Sequence, residues 1–238
     1  MATFVLVHGA MHGAWCWRPV EERLRAAGHR CHAPTLAGCG DRAHLLTRET
    51  SPTTHVDDLL ATLFMEDLSE VVLVLHSYSG VLAGPVVERA GGRIARVVGA
   101  GAFLADPGQS AADMEPAEVM TRYRHLVDTQ GDGWRVPASP GFVHQWGVPP
   151  DLEQFVGERL TDFPARCVTD AVHFDPAPLA ALPGDYVVHT APAMQSLEAS
   201  ATMARARGWR MHEIHTGHDM MLVDPDATAR LLMEIASR

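Results

Sequence analysis

The chain contains no lysine, because all 19 of its basic residues are arginine, and 29 acidic residues bring the formal net charge to −10. Without lysine, no side-chain amine is present that could form a Schiff base or act as a lysine general base. The excess of negative charge argues against binding to nucleic acid or to an anionic membrane. The composition therefore disfavours two broad classes of function before any motif is considered.

Cysteine and long apolar runs are also scarce. The four cysteines, Cys16, Cys31, Cys39 and Cys167, show no CxxC spacing, so neither a zinc site nor a disulfide framework is predicted. No apolar run approaches the roughly 20 residues that span a bilayer, and the first residues lack the basic lead of a signal peptide. We expect free thiols in a cytoplasmic protein. No glycine-rich phosphate loop is present, so we expect no cofactor, and the loose histidine spacing does not predict a metal.

Apolar strand-like segments alternate with amphipathic helices along most of the chain. Strands are predicted at 4–7, 71–75 and 94–102, and the alternation resumes with 186–189 and 210–214. Such alternation predicts an α/β fold, a mostly parallel sheet flanked by helices and joined by right-handed crossovers. The continuous apolar run 71–75 is typical of a strand that is buried on both faces.

The alternation is interrupted between residues 106 and 183. This segment contains many of the prolines, several aspartates and short helical pieces in place of another strand-helix repeat. It is predicted to be a helical lid inserted into a core that consists of residues 1–105 and 184–238. At 238 residues, the whole chain fits one large α/β domain with such an insertion.

Ser77 stands where the apolar strand 71–75 breaks and a helix of small residues begins. This is the layout of a nucleophile elbow, in which a tight strand-to-helix turn exposes a serine hydroxyl above the sheet. The usual Gly-x-Ser-x-Gly has here become Leu75-His76-Ser77-Tyr78-Ser79, so both flanking glycines are replaced. We predict that the hydroxyl of Ser77 is the nucleophile.

A nucleophilic serine needs a base and an oxyanion site. His218 lies in the loop between the last predicted strand and the C-terminal helix, which places it at the same sheet edge as the elbow. The oxyanion donors should be the backbone N–H of Tyr78, the residue after the nucleophile, and that of Ala10 in the loop after the first strand. His218, Tyr78 and Ala10 are therefore the predicted partners of Ser77.

Three motifs together carry a resemblance to a known family: the stretch Val5-Leu6-Val7-His8-Gly9-Ala10-Met11-His12-Gly13-Ala14-Trp15, the serine turn and Gly217-His218-Asp219. The chain resembles the α/β-hydrolase superfamily, and within it the branch of plant methyl esterases and hydroxynitrile lyases with their bacterial esterase-like relatives. The resemblance covers nearly the whole chain, and it implies the same roles for Ser77, His218, Ala10 and Tyr78. Cyanohydrin cleavage is disfavoured, because the lyases place a lysine after the catalytic histidine and this chain has Asp219.

The orienting carboxylate of this family follows a late strand, and neither candidate strand supplies one here. The strand before the lid ends in Gly99-Ala100-Gly101-Ala102-Phe103, and the strand after it ends in Val188-His189-Thr190-Ala191-Pro192. Asp106, Asp175 and Glu198 are the fallback candidates. The sequence leaves open a triad, a Ser-His dyad, or a His218 that acts on the substrate itself.

Aromatic residues of the lid are candidates for a pocket over Ser77. We predict that His12, Trp134 and Trp146 line it, and Phe142, Phe155 and Phe163 are further aromatic residues of the same segment. The predicted function is that of a cofactor-independent, carboxylesterase-type serine hydrolase acting on an ester or related carbonyl group of a small apolar or aromatic compound.

Two other functions remain open at this stage. The first is a non-hydrolytic lyase or cyclase in natural-product biosynthesis that uses the same pocket without an acyl-enzyme. The second is a small-molecule receptor on a hydrolase scaffold. The sequence also leaves open whether the chain forms a homodimer.

Overall fold

A computed structural model describes residues 1–139 and 141–238, and its centre is a six-stranded sheet. Adjacent strands are all parallel, in the order β2-β1-β3-β4-β7-β8. The strands of this sheet are β1 (Thr3–Val7), β2 (Arg30–His32), β3 (Val71–His76), β4 (Ile94–Ala100), β7 (Gly184–His189) and β8 (Arg210–Ile214). Two short strands, β5 (Arg135–Val136) and β6 (Phe163–Pro164), form a separate antiparallel pair. The predicted fold is confirmed.

Helices cover both faces of the sheet. They are α1 (Arg18–Ala26), α2 (Pro52–Met65), α3 (Ala83–Arg89), α4 (Ala117–Gln130), α5 (Gly141–Gln145), α6 (Pro150–Gly157), α7 (Ala165–Thr169), α8 (Pro176–Ala180), α9 (Glu198–Ala206), α10 (Met220–Val223) and α11 (Pro225–Ala236). Residues of α1, α10 and α11 pack on one face, and those of α2, α3 and α9 on the other. None of the helices within the described residues combines the length and apolar character that a membrane crossing requires.

The local sequence explains where these elements begin and end. All six residues of β3 are buried, as its uninterrupted apolar run requires between two helical layers. Helix α2 begins with Pro52 after Ser51, whose side chain forms a capping box with Thr54, so free N–H groups of the first turn are satisfied. The predicted strand 94–102 is shorter than expected, because it ends at Ala100 and Gly101 adopts a positive φ of 52°.

The segment between β4 and β7 contains short helices and the pair β5–β6, and no strand within its described residues joins the main sheet. A proline is the N-cap or the first residue of α4, α6, α7 and α8. Pro140, which belongs to the predicted lid, lies outside the described residues. The division into a core and a lid at residues 106 and 183 remains a prediction.

Candidate active site

Ser77 lies at the sharp turn that follows β3. Its φ is +54°, a left-handed conformation that non-glycine residues rarely adopt, and a 3-10 helix (Ser77–Leu82) begins at the same residue. Strain of this kind persists only where the surrounding structure enforces it, and it concentrates at functional sites. The turn is that of a nucleophile elbow even though both flanking glycines are missing.

Leu75 and Ser79 replace the two glycines, and the turn at Ser77 keeps its positive φ. Leu75 is fully buried in the core between its strand partners Val7 and Gly99, and Gly99 brings no side chain beside it. The Ser79 hydroxyl donates hydrogen bonds to the carbonyls of His76 (2.9 Å) and Val7 (3.3 Å). The end of β1 therefore remains hydrogen-bonded to the serine turn.

The two predicted oxyanion donors meet at the same cavity. Ala10, Ser77 and Tyr78 all line it, and Tyr78 is in the first turn of a helix, where backbone N–H groups lack intrahelical acceptors. Gly9 allows the two loops to approach closely, since a Cβ atom there would lie 2.7 Å from the Cβ of Ser77. The structure places Ser77, Ala10 and Tyr78 at one cavity, and the role of the two N–H groups as oxyanion donors remains a prediction.

His218 is held in this cavity by its main chain. Its N–H donates to the carbonyl of Trp146 (2.6 Å), and its own carbonyl accepts a hydrogen bond from Nε2 of His76 (3.0 Å). His218 lines the same cavity as Ser77 and is 3% exposed. The backbone thus fixes the loop independently of the imidazole, which is free to take part in chemistry.

A second histidine, His189, is the last residue of β7, the strand after which the resemblance predicts a carboxylate. Its Nδ1 lies 2.8 Å from the carbonyl of Pro192, and its Nε2 lies 3.1 Å from Nδ1 of His218. A carbonyl can only accept, so Nδ1 of His189 carries the proton and its Nε2 must accept one from His218. This chain of bonds leaves Nε2 of His218 unprotonated, which is the tautomer that a general base for Ser77 requires.

Sequence reasoning missed His189 because it searched for a carboxylate at the end of β7. The other expected position, after β4, holds Gly101, where a Cβ would lie 3.2 Å from the His189 ring and 3.3 Å from that of His218. The imidazole pair thus occupies the space beside Gly101. The signal that could have found it is a histidine at the strand end where an aspartate is usual.

The three fallback carboxylates lie elsewhere. Asp106 pairs with Arg207 (2.7 Å) and is largely exposed, while Asp175 caps helix α8 through the N–H of Ala177. Glu198 is exposed at the start of α9. None of the three contacts His218 within the described residues, so these candidates are corrected.

Burial and neighbouring imidazoles determine the proton affinity of His218. Burial, followed by the proximity of His76 and His189, lowers the pKa of His218 well below its usual range. The rings of His76 and His218 are 4.6 Å apart, and burial lowers the pKa of His76 to about 4. His218 is therefore a neutral, weak base, in contrast with a triad histidine that has an anionic partner.

His12 forms a buried ion pair with Asp219 beside this group. Its Nε2 lies 3.2 Å from Oδ2 of Asp219 and its Nδ1 lies 2.8 Å from the carbonyl of Ala10. Both nitrogens face acceptors, so both carry protons. Burial favours the neutral forms, but the mutual attraction outweighs it, raising the pKa of His12 and lowering that of Asp219. The imidazolium thereby anchors the loop that carries the Ala10 donor.

Replacing Asp219 by asparagine should destabilise the fold, because it leaves the His12 imidazolium buried without its counter-ion. Breaking a buried pair costs about 3 kcal/mol or more in the free energy of unfolding, measurable by urea denaturation at pH 7. Asp226→Asn is the matched control, since Asp226 pairs with Arg23 at the surface, where ion pairs contribute little. Equal stability of the two variants would contradict the ion-pair assignment.

The cavity over Ser77 is mostly apolar. Of the predicted pocket residues, His12 and Trp146 line it, as do Phe163 and Tyr78. Trp134 does not belong to its described lining: the guanidinium groups of Arg48 and Arg135 lie over its ring at 5.5 and 5.9 Å. The expectation for Trp134 is thus corrected, because Arg48 of the core and Arg135 of the segment 106–183 offer its ring a cation–π environment.

The remaining lid aromatics have different surroundings. Phe142 is buried behind Trp146, with its ring stacked on that of Trp146 at 5.7 Å. Phe155 is 41% exposed and packs edge-on against Trp15. Phe163 alone among these three phenylalanines reaches the cavity.

A parallel sheet with a serine at the strained turn after an inner strand, and a histidine in the loop after the last strand, is the arrangement of α/β hydrolases. Residues 4–231 match the alpha/beta hydrolase family profile. The chain belongs to the alpha/beta hydrolase family. The resemblance noted from the sequence is confirmed.

Curated relatives include esterases of bacteria and plants. The chain is 30% identical to the carbendazim hydrolyzing esterase of Nocardioides sp. (strain SG-4G), over 98% of each chain. It is 39% identical to methyl jasmonate esterase 1 of Vitis vinifera, over 44% of this chain and 40% of that protein. These relatives confirm the predicted class, an ester-acting hydrolase of the serine carboxylesterase type.

Solved structures with the same fold cover the whole chain. An extracellular alpha/beta-hydrolase from a Paenibacillus species superposes with a TM-score of 0.86 at 23% identity, covering 98% of both chains. Tomato methylketone synthase I superposes with a TM-score of 0.78 at 21% identity, covering 99% of this chain and 98% of that one. At these identities the similarity establishes the fold alone.

Proposed function

We propose that this protein hydrolyses esters of small, mainly apolar carboxylic or carbamic acids through Ser77, His218 and His189. The observation that supports it best is the hydrogen-bond chain from Pro192 through His189 to His218. This chain sets the tautomer of His218 and leaves its Nε2 as an acceptor in the cavity that Ser77 also lines. A serine hydroxyl that donates a hydrogen bond to such a nitrogen is activated for nucleophilic attack.

In the first half-reaction the Ser77 oxygen attacks the ester carbonyl, and the hydroxyl proton passes to Nε2 of His218. The negative charge that forms on the carbonyl oxygen is stabilised by the N–H groups of Ala10 and Tyr78. The tetrahedral intermediate then breaks its bond to the alkoxy oxygen, which takes the proton from His218 and leaves as an alcohol. Ser77 is left as an acyl ester.

Water completes the cycle by the reverse sequence of proton transfers. It attacks the acyl carbon while Nε2 of His218 takes its proton, and that proton returns to the Ser77 oxygen as the acid is released. The imidazolium that forms in both steps faces the neutral His189 and not a carboxylate. At the end Nε2 of His218 is again unprotonated and Ser77 again carries its hydroxyl proton. One cycle consumes one ester and one water.

The substrate class follows from the cavity and from the relatives. Walls of Phe103, Val136, Phe163 and Val168 suit an apolar or aromatic acyl group. The plant relatives are named as methylesterases, which supports a methyl or other small alcohol as the leaving group. Turnover of methyl esters of aromatic acids, followed by chromatography of the free acid, tests this proposal. A homodimer and a cytoplasmic location stay predictions from the sequence.

Within the described residues, the ring of His218 hydrogen-bonds to His189 and not to a carboxylate, which favours a second candidate, a lyase or cyclase reaction. There His218 would move a proton on the substrate, the oxyanion donors would stabilise an enolate, and Ser77 would not form a covalent bond. Stoichiometric labelling of Ser77 by a fluorophosphonate would count against this candidate. A protein that converts substrate but resists the probe would support it.

Replacing His189 by alanine should lower kcat about 100-fold with little change in KM, because His189 positions the base without contacting the substrate. The loss is smaller than the roughly 10⁴-fold that follows loss of a triad carboxylate, since the partner here is neutral. His189→Gln, which keeps an acceptor for Nδ1 of His218, should recover part of the rate. Steady-state kinetics of the three proteins provide the test, and unchanged kcat in His189→Ala would remove His189 from the mechanism.

The pH dependence of kcat/KM distinguishes a His189 that orients His218 from a His189 that only supports the fold. The pKa of His218 is already lowered, so the wild-type kcat/KM should persist as the pH falls through 6.5. In His189→Asp a carboxylate stabilises the imidazolium and raises that pKa, so the acid limb should move to higher pH. His215→Ala is the control, because His215 is exposed and contacts only Thr190 among side chains of the described residues. An unchanged profile in His189→Asp would contradict the assignment.

A further inference from the structure

One carboxylate interrupts the apolar wall of the cavity. Glu115, which follows the 3-10 helix Ala111–Met114, lines the same cavity as Ser77 but belongs to the lid segment. Phe103, Val136 and Met194 also contribute to the wall. A carboxylate in such surroundings loses hydration that its neighbours do not replace, so it needs a partner.

The protein itself supplies one hydrogen-bond donor to the Glu115 carboxylate. Oε2 of Glu115 accepts a hydrogen bond from the buried Ser196 hydroxyl at 2.5 Å. Within the described residues, no arginine or histidine forms an ion pair with Glu115. Burial raises the pKa of Glu115, and the bond from Ser196 opposes this shift. The second carboxylate oxygen therefore remains available to a ligand.

Tyr123 extends this polar end of the cavity. This residue of α4 lines the same cavity as Ser77. Burial, followed by the nearby charge of Glu115, raises the pKa of Tyr123. A phenol that keeps its proton is a hydrogen-bond donor and acceptor. Glu115 and Tyr123 thus form a pair of polar groups contributed by the lid, whereas Ser77 and His218 come from loops at the sheet edge.

We propose that Glu115 binds a hydrogen-bond donor or cationic nitrogen on the acyl group of the substrate. The inference rests on the proposed ester hydrolysis and narrows its substrate class to esters whose acyl group carries an ammonium or an N–H group, such as an aminoalkyl-aryl or N–H heteroaryl ester. Ser196 holds the carboxylate in place, and the apolar walls bind the ring between the two ends. A purely hydrocarbon acyl group would leave the carboxylate desolvated, with the Ser196 hydroxyl as its hydrogen-bond partner and no opposite charge.

A pair of nearly isosteric esters tests the inference. Methyl para-(aminomethyl)benzoate carries an ammonium where methyl para-ethylbenzoate carries a methyl group. Wild-type kcat/KM should favour the ammonium ester by about tenfold or more, the size expected of a hydrogen bond to a charged group. Glu115→Gln should abolish this preference. Glu118→Gln, at an exposed position in the first turn of the following helix α4, should retain it.

A binding experiment keeps the subsite separate from the chemistry. Calorimetry with Ser77→Ala measures the Kd of para-(aminomethyl)acetophenone and para-ethylacetophenone, two ketones that cannot be hydrolysed. If the ammonium ketone binds more tightly and this difference disappears in Ser77→Ala/Glu115→Gln, the inference is supported, whether or not the esters are turned over. Failure of the wild-type protein to turn over either ester would refute the proposed hydrolysis and not the subsite. Equal Kd values for the two ketones overturn the inference and leave the hydrolysis untouched.

Discussion

Ser77→Ala should reduce the hydrolysis of a methyl aryl ester by about 10⁴-fold or more, since removal of a catalytic serine is among the most damaging single changes known in serine hydrolases. The variant loses the oxygen that attacks the carbonyl, while the oxyanion donors and the cavity remain. Some residual rate over water is therefore expected from binding and oxyanion stabilisation alone. Initial rates at several ester concentrations provide the measurement.

Ser79→Ala is the matched control for this experiment. It removes the equivalent hydroxyl two residues further along the same turn, whose hydrogen bonds within the described part of the chain go to the carbonyls of His76 and Val7. We expect it to keep most of the activity and to be labelled by a fluorophosphonate, whereas Ser77→Ala should not be labelled. Equal rates for wild type and Ser77→Ala would exclude an acyl-enzyme on this residue.

The sequence predicted the positions of Ser77, Ala10, Tyr78 and His218 because local patterns determine each of them. A parallel strand places the residue that follows it at the carboxyl edge of the sheet, and all these residues follow strands of the sheet at short distance. The loops therefore meet at one cavity independently of how the segment 106–183 folds. The strand order is sufficient to bring Ser77 and His218, 141 positions apart, to the same edge of the sheet.

The identity of the residue that orients His218 could not be predicted by the same route. The position at the end of β7 was recognised, but the chemistry was assumed to require a carboxylate. His189 fits the position because the Pro192 carbonyl fixes its tautomer and makes its Nε2 an acceptor. Only the three-dimensional hydrogen-bond pattern reveals that a neutral imidazole occupies the place of an acid.

The lid was the least predictable part of the site. Apart from α4, its helices have eight residues or fewer, so no long periodic pattern indicates which face covers the cavity. Trp134 was expected in the pocket but lies under two arginine side chains, and Glu115 was not expected there but lines the wall. Composition identified the segment, whereas the packing of its side chains decided which of them reach the substrate.

His218→Ala should reduce kcat by about as much as Ser77→Ala, because the hydroxyl then has no proton acceptor at Nε2. Both main-chain hydrogen bonds of residue 218 persist in the variant, so the loop should stay in place. The double variant should be no slower than either single variant, since the two side chains act as one unit. Added imidazole should restore part of the rate in His218→Ala but not in Ser77→Ala.

The same variants distinguish hydrolysis from proton transfer on the substrate. If Ser77 is the nucleophile, His218→Ala lowers the rate of fluorophosphonate labelling together with the rate of turnover. If His218 instead moved a proton on the substrate, Ser77→Ala would retain turnover and only His218→Ala would lose it. Because the neutral His189 stabilises the imidazolium less than a carboxylate does, the wild-type labelling rate should itself be below that of a triad enzyme and should rise in His189→Asp. Labelling rates of the four proteins at pH 7 therefore test whether Ser77, His218 and His189 work as one chain of proton donors and acceptors.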